Sequence, residues 1–111
     1  MDKKKVIVVE RISDKGVEML KNQPDLEVDV KFDIPREELL KIVGKYDAIV
    51  VRSVTKINEE FYQAATNLKV VGRAGNGVDN IDIAGATQRG IIVVNTPEAN
   101  VISAAEHIPL A

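Results

Sequence analysis

The apolar positions of this chain come in short runs separated by polar stretches, and their period changes from run to run. Residues 6–9 are consecutive β-branched side chains, the mark of a strand buried on both faces. Residues 14–22 place Val17 and Leu20 on one helical face, with Ser13 set to cap the helix and Gly16 a mild weakness in it. Leu26–Val30 alternates apolar and acidic positions, LEVDV, as an edge strand does. Asp33-Ile34-Pro35 opens a second helix, whose apolar face is Leu39, Leu40 and Val43 and whose end is Gly44. Residues 47–51 form a third strand that leaves Arg52-Ser53 at its carboxyl end. Asn58 caps a third helix carrying Phe61, Ala64 and Ala65.

The stretch 69–105 is the most densely punctuated. Residues 69–72 read as a fourth strand, and Arg73-Ala74-Gly75-Asn76-Gly77 as a turn that bares backbone N–H groups. Asp79 and Asp82 stand at the start of a helix over Ile83–Arg89, where carboxylates suit the positive end of the dipole, and Gly90 stands at its stop. Residues 91–94 are a fifth strand, closed by Asn95-Thr96-Pro97. Strands and helices alternating at roughly 20–25 residues predict an α/β fold, a parallel sheet sandwiched in three layers with right-handed crossovers. About five strands fit the flavodoxin-like order 2-1-3-4-5. There is no internal repeat or linker, so residues 1–111 read as one domain.

Composition narrows the function classes. Aromatic residues make up 4% of the chain against 45% hydrophobic residues, so the core is aliphatic, which suits a parallel sheet covered on both faces. The net charge of -2 offers no basic field for nucleic acid and no polybasic membrane signal. The absence of cysteine removes disulfides, thiol nucleophiles and thiolate metal sites. No apolar run approaches the roughly 18 residues of a membrane span, and no signal-peptide core follows Met1, so a cytoplasmic protein is expected.

In open α/β sheets, ligands bind beyond the carboxyl ends of the strands. Glu10-Arg11, Phe32-Asp33, Arg52-Ser53, residues 73–77 and residues 95–100 fall there. The cations Arg52, Lys56 and Arg73 lie on this rim beside the amides of Ala74, Gly75, Asn76 and Gly77, a set suited to a small anion bearing carboxylate and phosphate. Solvated loop charge is the plainer reading of these cations. Arg52 and Arg73 both follow buried strands at one edge, which favours the functional reading for that pair. The sole histidine, His107, sits on a helix start beside Glu106 and reads as structural. Asp79 and Asp82 read as turn and helix-start residues rather than as a catalytic or metal-binding pair. A dinucleotide needs Gly-x-Gly-x-x-Gly between strand and helix, whereas GRAGNG spaces its glycines G-x-x-G-x-G.

Three motifs, GRAGNGVDNID, RGIIVVNTPEAN and SAAEH, with VRSVTK upstream, resemble in order the substrate-binding half of D-2-hydroxyacid dehydrogenases. The similarity is strong from about Asp47 to Glu106, and it points to the members that use NAD to oxidise 3-phosphoglycerate to 3-phosphohydroxypyruvate in serine biosynthesis. The resemblance implies that Gly75, Asn76 and Gly77 form the substrate loop, with backbone amides for the substrate carboxylate and Asn76 facing the nicotinamide. It implies that Arg52, Ser53, Lys56 and Arg73 lie near the substrate phosphate and carboxylate, and that Asn100 and Ser103 begin the interdomain helix. Ser103-Ala104-Ala105-Glu106 is also a capping box, which accounts for Ser103 structurally.

The family's catalytic His, Glu and Arg belong to its nucleotide-binding Rossmann domain. The expectation is therefore a truncated substrate-binding domain that is inactive alone, binds no NAD itself and holds no metal. It would also leave an apolar face near the first helix open to self-association. Pro109 interrupts the family's helix. The alternative is a non-catalytic, stand-alone folding or association module. A phosphoacceptor receiver domain and a flavin mononucleotide site are poor fits, because the third strand ends in Arg52-Ser53 and Glu10-Arg11-Ile12-Ser13 is no phosphate loop.

Overall fold

The computed structural model describes residues 3–12, 14–74 and 79–96. Its elements are β1 (Lys4–Val8), α1 (Asp14–Lys21), β2 (Leu26–Val30), α2 (Arg36–Ile42), β3 (Ala48–Val51), α3 (Glu59–Ala64), β4 (Val70–Ala74), α4 (Ile83–Arg89) and β5 (Ile92–Thr96). The strands form one sheet in the order β2-β1-β3-β4-β5, and every pairing is parallel. The expected α/β class and strand order are therefore those of the molecule.

Side chains alternate across the sheet because a strand has a period of two. Ile7, Val9, Ile49, Val51 and Val71 face one cluster with Leu39 of α2, Phe61 and Tyr62 of α3 and Ala86 of α4. Val6, Val8, Ala48, Val50, Val70 and Ala74 face the other cluster, which α1 covers through Leu20. Among the described residues, one helix on one face and three on the other give the three layers. Burial on both faces is why β3 is wholly apolar and β1 and β4 carry the apolar runs Val6-Ile7-Val8 and Val70-Val71, while edge strand β2 keeps Glu27 exposed.

Local chemistry sets several element ends. Asn58 caps α3 by accepting from the Phe61 N–H at 3.1 Å. Asp82 caps α4 by accepting from the Gly85 N–H at 3.0 Å, and Gly90 closes that helix in the left-handed region at φ 72°. Ser13, the expected cap of α1, lies outside the described residues. Two expectations shift. Gly44 does not stop α2 outright, since a 3-10 turn over Val43–Lys45 continues it. An added Cβ at Gly44 would stand 3.0 Å from the Ala64 carbonyl oxygen, so this glycine serves close approach of the chain to the end of α3. The fourth and fifth strands also run further than predicted. Arg73 and Ala74 are strand residues in register with Asn95 and Thr96, so neither belongs to a turn.

Candidate functional site: the carboxyl edge of β1, β3 and β4

β1 and β3 are neighbours in the sheet, yet β1 is followed by α1 and then by β2 on its other side. This is the point where the strand order reverses and where a crevice opens beyond the carboxyl ends. A cleft of about 340 Å³ lies there, lined by Glu10, Arg11, Asp33, Arg52, Ser53 and Thr55 together with Val9, Ile34 and Val54. Asp33 takes a left-handed backbone conformation at φ 61°, which aspartate tolerates better than most residues.

Glu10 shapes the loop after β3. Its Oε2 accepts from the Arg52 N–H at 2.7 Å and the Thr55 N–H at 3.0 Å, and its Oε1 accepts from the Val54 N–H at 3.0 Å. Partial burial pushes this carboxyl up, but the amides of Arg52, Thr55 and Val54, together with the Thr55 side chain, outweigh burial and hold it below the ordinary glutamate value.

Asn80 holds the same loop from the other side. Its Nδ2 donates to the carbonyls of Arg52 and Thr55, both at 2.7 Å, and its Oδ1 accepts from Arg73 Nε at 2.8 Å. Asn80 is itself fixed by backbone bonds, Ile57 N–H to the Asn80 carbonyl at 2.9 Å and Asp82 N–H to the Ile57 carbonyl at 2.8 Å, around a bridge between Ile57 and Ile81.

The structure brings Arg52 and Arg73 to one edge, since Val51 and Arg73 are in register on adjacent strands. The two arginines differ in setting. Arg52 is exposed and donates from Nη1 to the Arg11 carbonyl at 3.3 Å. Arg73 is only 8% exposed, inside β4. Ser53 is exposed and lines the cleft. Lys56 is exposed a few residues on, and its carbonyl accepts from Arg36 Nη1 at 3.0 Å. Ala74 is buried at the end of β4. Gly75, Asn76, Gly77, Asn100, Ser103 and His107 lie outside the described residues. Reading the sequence alone missed Glu10 and Asn80. Glu10 was legible only as a strand-end acid. Asn80 stood among residues taken for a plain helix lead-in, and its partners are 25 and 28 residues away.

A second hollow, about 420 Å³, lies between β2 and α2. It mixes Lys31, Lys41 and Lys45 with Asp29 and Glu38, and the Tyr46 hydroxyl donates to Asp29 at 2.5 Å, so no single sign of charge dominates it. Among the described residues no group of three or more His, Cys, Asp or Glu side chains converges, and no helix is long and apolar enough to cross a membrane.

A parallel α/β sheet with a crevice at its reversal point defines a domain of the open-sheet α/β class. The chain belongs to the family described as D-isomer specific 2-hydroxyacid dehydrogenase, catalytic domain, whose family model matches residues 6–108. It is 58% identical over 103 residues to D-3-phosphoglycerate dehydrogenase of Archaeoglobus fulgidus, covering 93% of this chain and 19% of that protein. The enzyme of the same name from Synechocystis is 50% identical over 103 residues, with coverage of 93% and 18%. The chain thus spans about a fifth of the length of these curated relatives. Among solved structures, NAD⁺-bound 3-phosphoglycerate dehydrogenase from Entamoeba histolytica superposes with a TM-score of 0.76 at 31% identity, covering 94% of this chain and 36% of that one.

The described residues do not fit a dinucleotide. The segment between β1 and α1 has Glu10 and Arg11 where a phosphate-binding turn needs glycines, and the Glu10 carboxylate already takes the amides that converge there.

Proposed function

We propose that this chain is the substrate-side part of an NAD-dependent D-3-phosphoglycerate dehydrogenase. In this reading it holds 3-phosphoglycerate by its carboxylate and phosphate for oxidation to 3-phosphohydroxypyruvate. The nicotinamide and the acid–base groups come from a nucleotide-binding domain outside these 111 residues. The observation that carries the reading is the joining of two arginine-bearing strand ends, Arg52 after β3 and Arg73 in β4, through the one carboxamide of Asn80. Arg73, fixed and nearly buried, supplies stationary positive charge, which acts more strongly in a site shielded from water. Arg52, Ser53 and Lys56, all exposed, reach the phosphate or carboxylate directly. In this reading Gly75 and Gly77 serve the substrate carboxylate, Asn76 the nicotinamide side, and Asn100 and Ser103 the join with the nucleotide-binding domain, with Ala74, buried at the end of β4, leading into that set.

Titration of the 111-residue chain with 3-phosphoglycerate, followed by amide chemical shifts, tests this. Shifts centred on Arg52, Ser53 and Gly75 are expected, together with at least roughly tenfold weaker binding in Arg52→Met from loss of charge-assisted hydrogen bonds. Silence at both Ser53 and Gly75 would overturn the reading. By itself the chain should reduce no NAD with 3-phosphoglycerate, and measurable reduction by the pure chain would refute the division of labour.

One observation favours self-association, which suits both the substrate-binding domain and the alternative association module. Ile92 of edge strand β5 is 46% exposed, on the same face as Val94, which packs against the α1 cluster. Sedimentation of Ile92→Lys against the unaltered chain tests association through this face, because only an associating chain becomes smaller.

A further inference from the structure

The Glu10 carboxylate stands at the crevice where an open α/β sheet takes its ligand. Three backbone amides, those of Arg52, Val54 and Thr55, converge on its two oxygens at 2.7–3.0 Å. Amides gathered in this way form a nest that binds anions. The chain fills this nest with its own carboxylate, 42 to 45 residues away in sequence.

We infer that Glu10 is a positioning residue, an internal anion around which residues 52–55 fold so that Arg52 and Ser53 face the substrate. The last step rests on the proposed function above; the nest itself does not. β3 ends at Val51, so this loop has no strand partner to define it. The N–H groups of Arg52, Val54 and Thr55 go to Glu10, while the carbonyls of Arg52 and Thr55 go to Asn80. The amides of Arg52, Val54 and Thr55 are already engaged, so these three amides do not serve an incoming anion. Glutamine is a poor replacement, since both Glu10 oxygens accept and a carboxamide has one oxygen and two donors.

The test uses amide spectra of the 111-residue chain and its Glu10→Ala and Glu10→Gln variants, with sodium acetate or with sodium chloride at matched ionic strength. In Glu10→Ala the amides of Arg52, Val54 and Thr55 should leave their native positions. Excess acetate should return them by entering the vacated nest, whereas chloride should not. In the unaltered chain, acetate should leave the same three amides in place. Binding of 3-phosphoglycerate should weaken about tenfold in Glu10→Ala and recover with acetate, which a loss of general stability would not reproduce. A folded Glu10→Ala chain with native loop amides, or one whose displaced amides ignore acetate, overturns the inference. Should Glu10→Ala fail to fold, Glu10→Gln decides: displaced loop amides support the role and unmoved ones end it. If the unaltered chain binds no 3-phosphoglycerate, the proposed function falls, while the acetate response still reports on Glu10.

Discussion

Asn80 uses its whole carboxamide, donating twice from Nδ2 and accepting once at Oδ1. Asn80→Ala removes three hydrogen bonds from half-buried ground, and at about 0.5–1.5 kcal/mol each it should cost about 1.5–4.5 kcal/mol of stability, read from urea denaturation. Asn80→Asp keeps the acceptor for Arg73 but sets a carboxylate against two carbonyl oxygens. It should be no more stable than Asn80→Ala at neutral pH. Glu10 adds a pH dependence whose sign is fixed. Its folded-state value is depressed, so its contribution is full above the unfolded value of about 4.3 and is lost as pH falls through the lower folded value. Glu10→Gln should flatten that part of the acid limb relative to the unaltered chain, and urea midpoints measured from neutral to acidic pH show whether it does.

Within elements, α4 is the sharpest case. Helix propensity alone says that Gly85→Ala should stabilise by about 1 kcal/mol. The structure says the opposite: an added Cβ would lie 2.6 Å from Asp82 Oδ2 and 3.0 Å from the Tyr62 ring. The carboxylate that must move is the helix cap itself. Gly85→Ala should therefore lower the thermal midpoint, and its effect should shrink in an Asp82→Ala background where the cap is already gone. The bounds of α4, Ile83–Arg89, were readable because its cap and its left-handed stop are both local. The length of β4 was not. Arg73 and Ala74 look like turn residues beside three glycines, and they become strand because Val51, Asn95 and Thr96 on neighbouring strands are in register with them.

For the molecule as a whole, the sheet separates two apolar layers, so a defect at its centre is felt on neither edge alone. Ile49 is fully buried in β3 between β1 and β4. Ile49→Ala should cost about 2–5 kcal/mol, a large share of the 5–15 kcal/mol typical of a domain. The urea midpoint should fall accordingly, while the amides that respond to 3-phosphoglycerate in the folded fraction stay the same. A changed set of responding amides would mean that the site depends on core packing more directly than the fold suggests.

The sequence by itself determined the class of fold, the number of strands and their order, because unbroken β-branched runs spaced by helices can be buried only in a parallel sheet with helices on both sides. It also placed Arg52 just past the end of β3 and Arg73 at the same edge, since hydrophobic runs are local, although it left Arg73 in a turn that pairing makes strand. Tertiary structure decided what those arginines are attached to. Glu10 meets the β3 loop across more than 40 residues, and Asn80 meets it across 25 to 28. Such bonds join groups with no periodic relation in the chain. They exist because parallel pairing lays the ends of β1, β3 and β4 side by side, and strand order alone does not say which side chain reaches across to which loop.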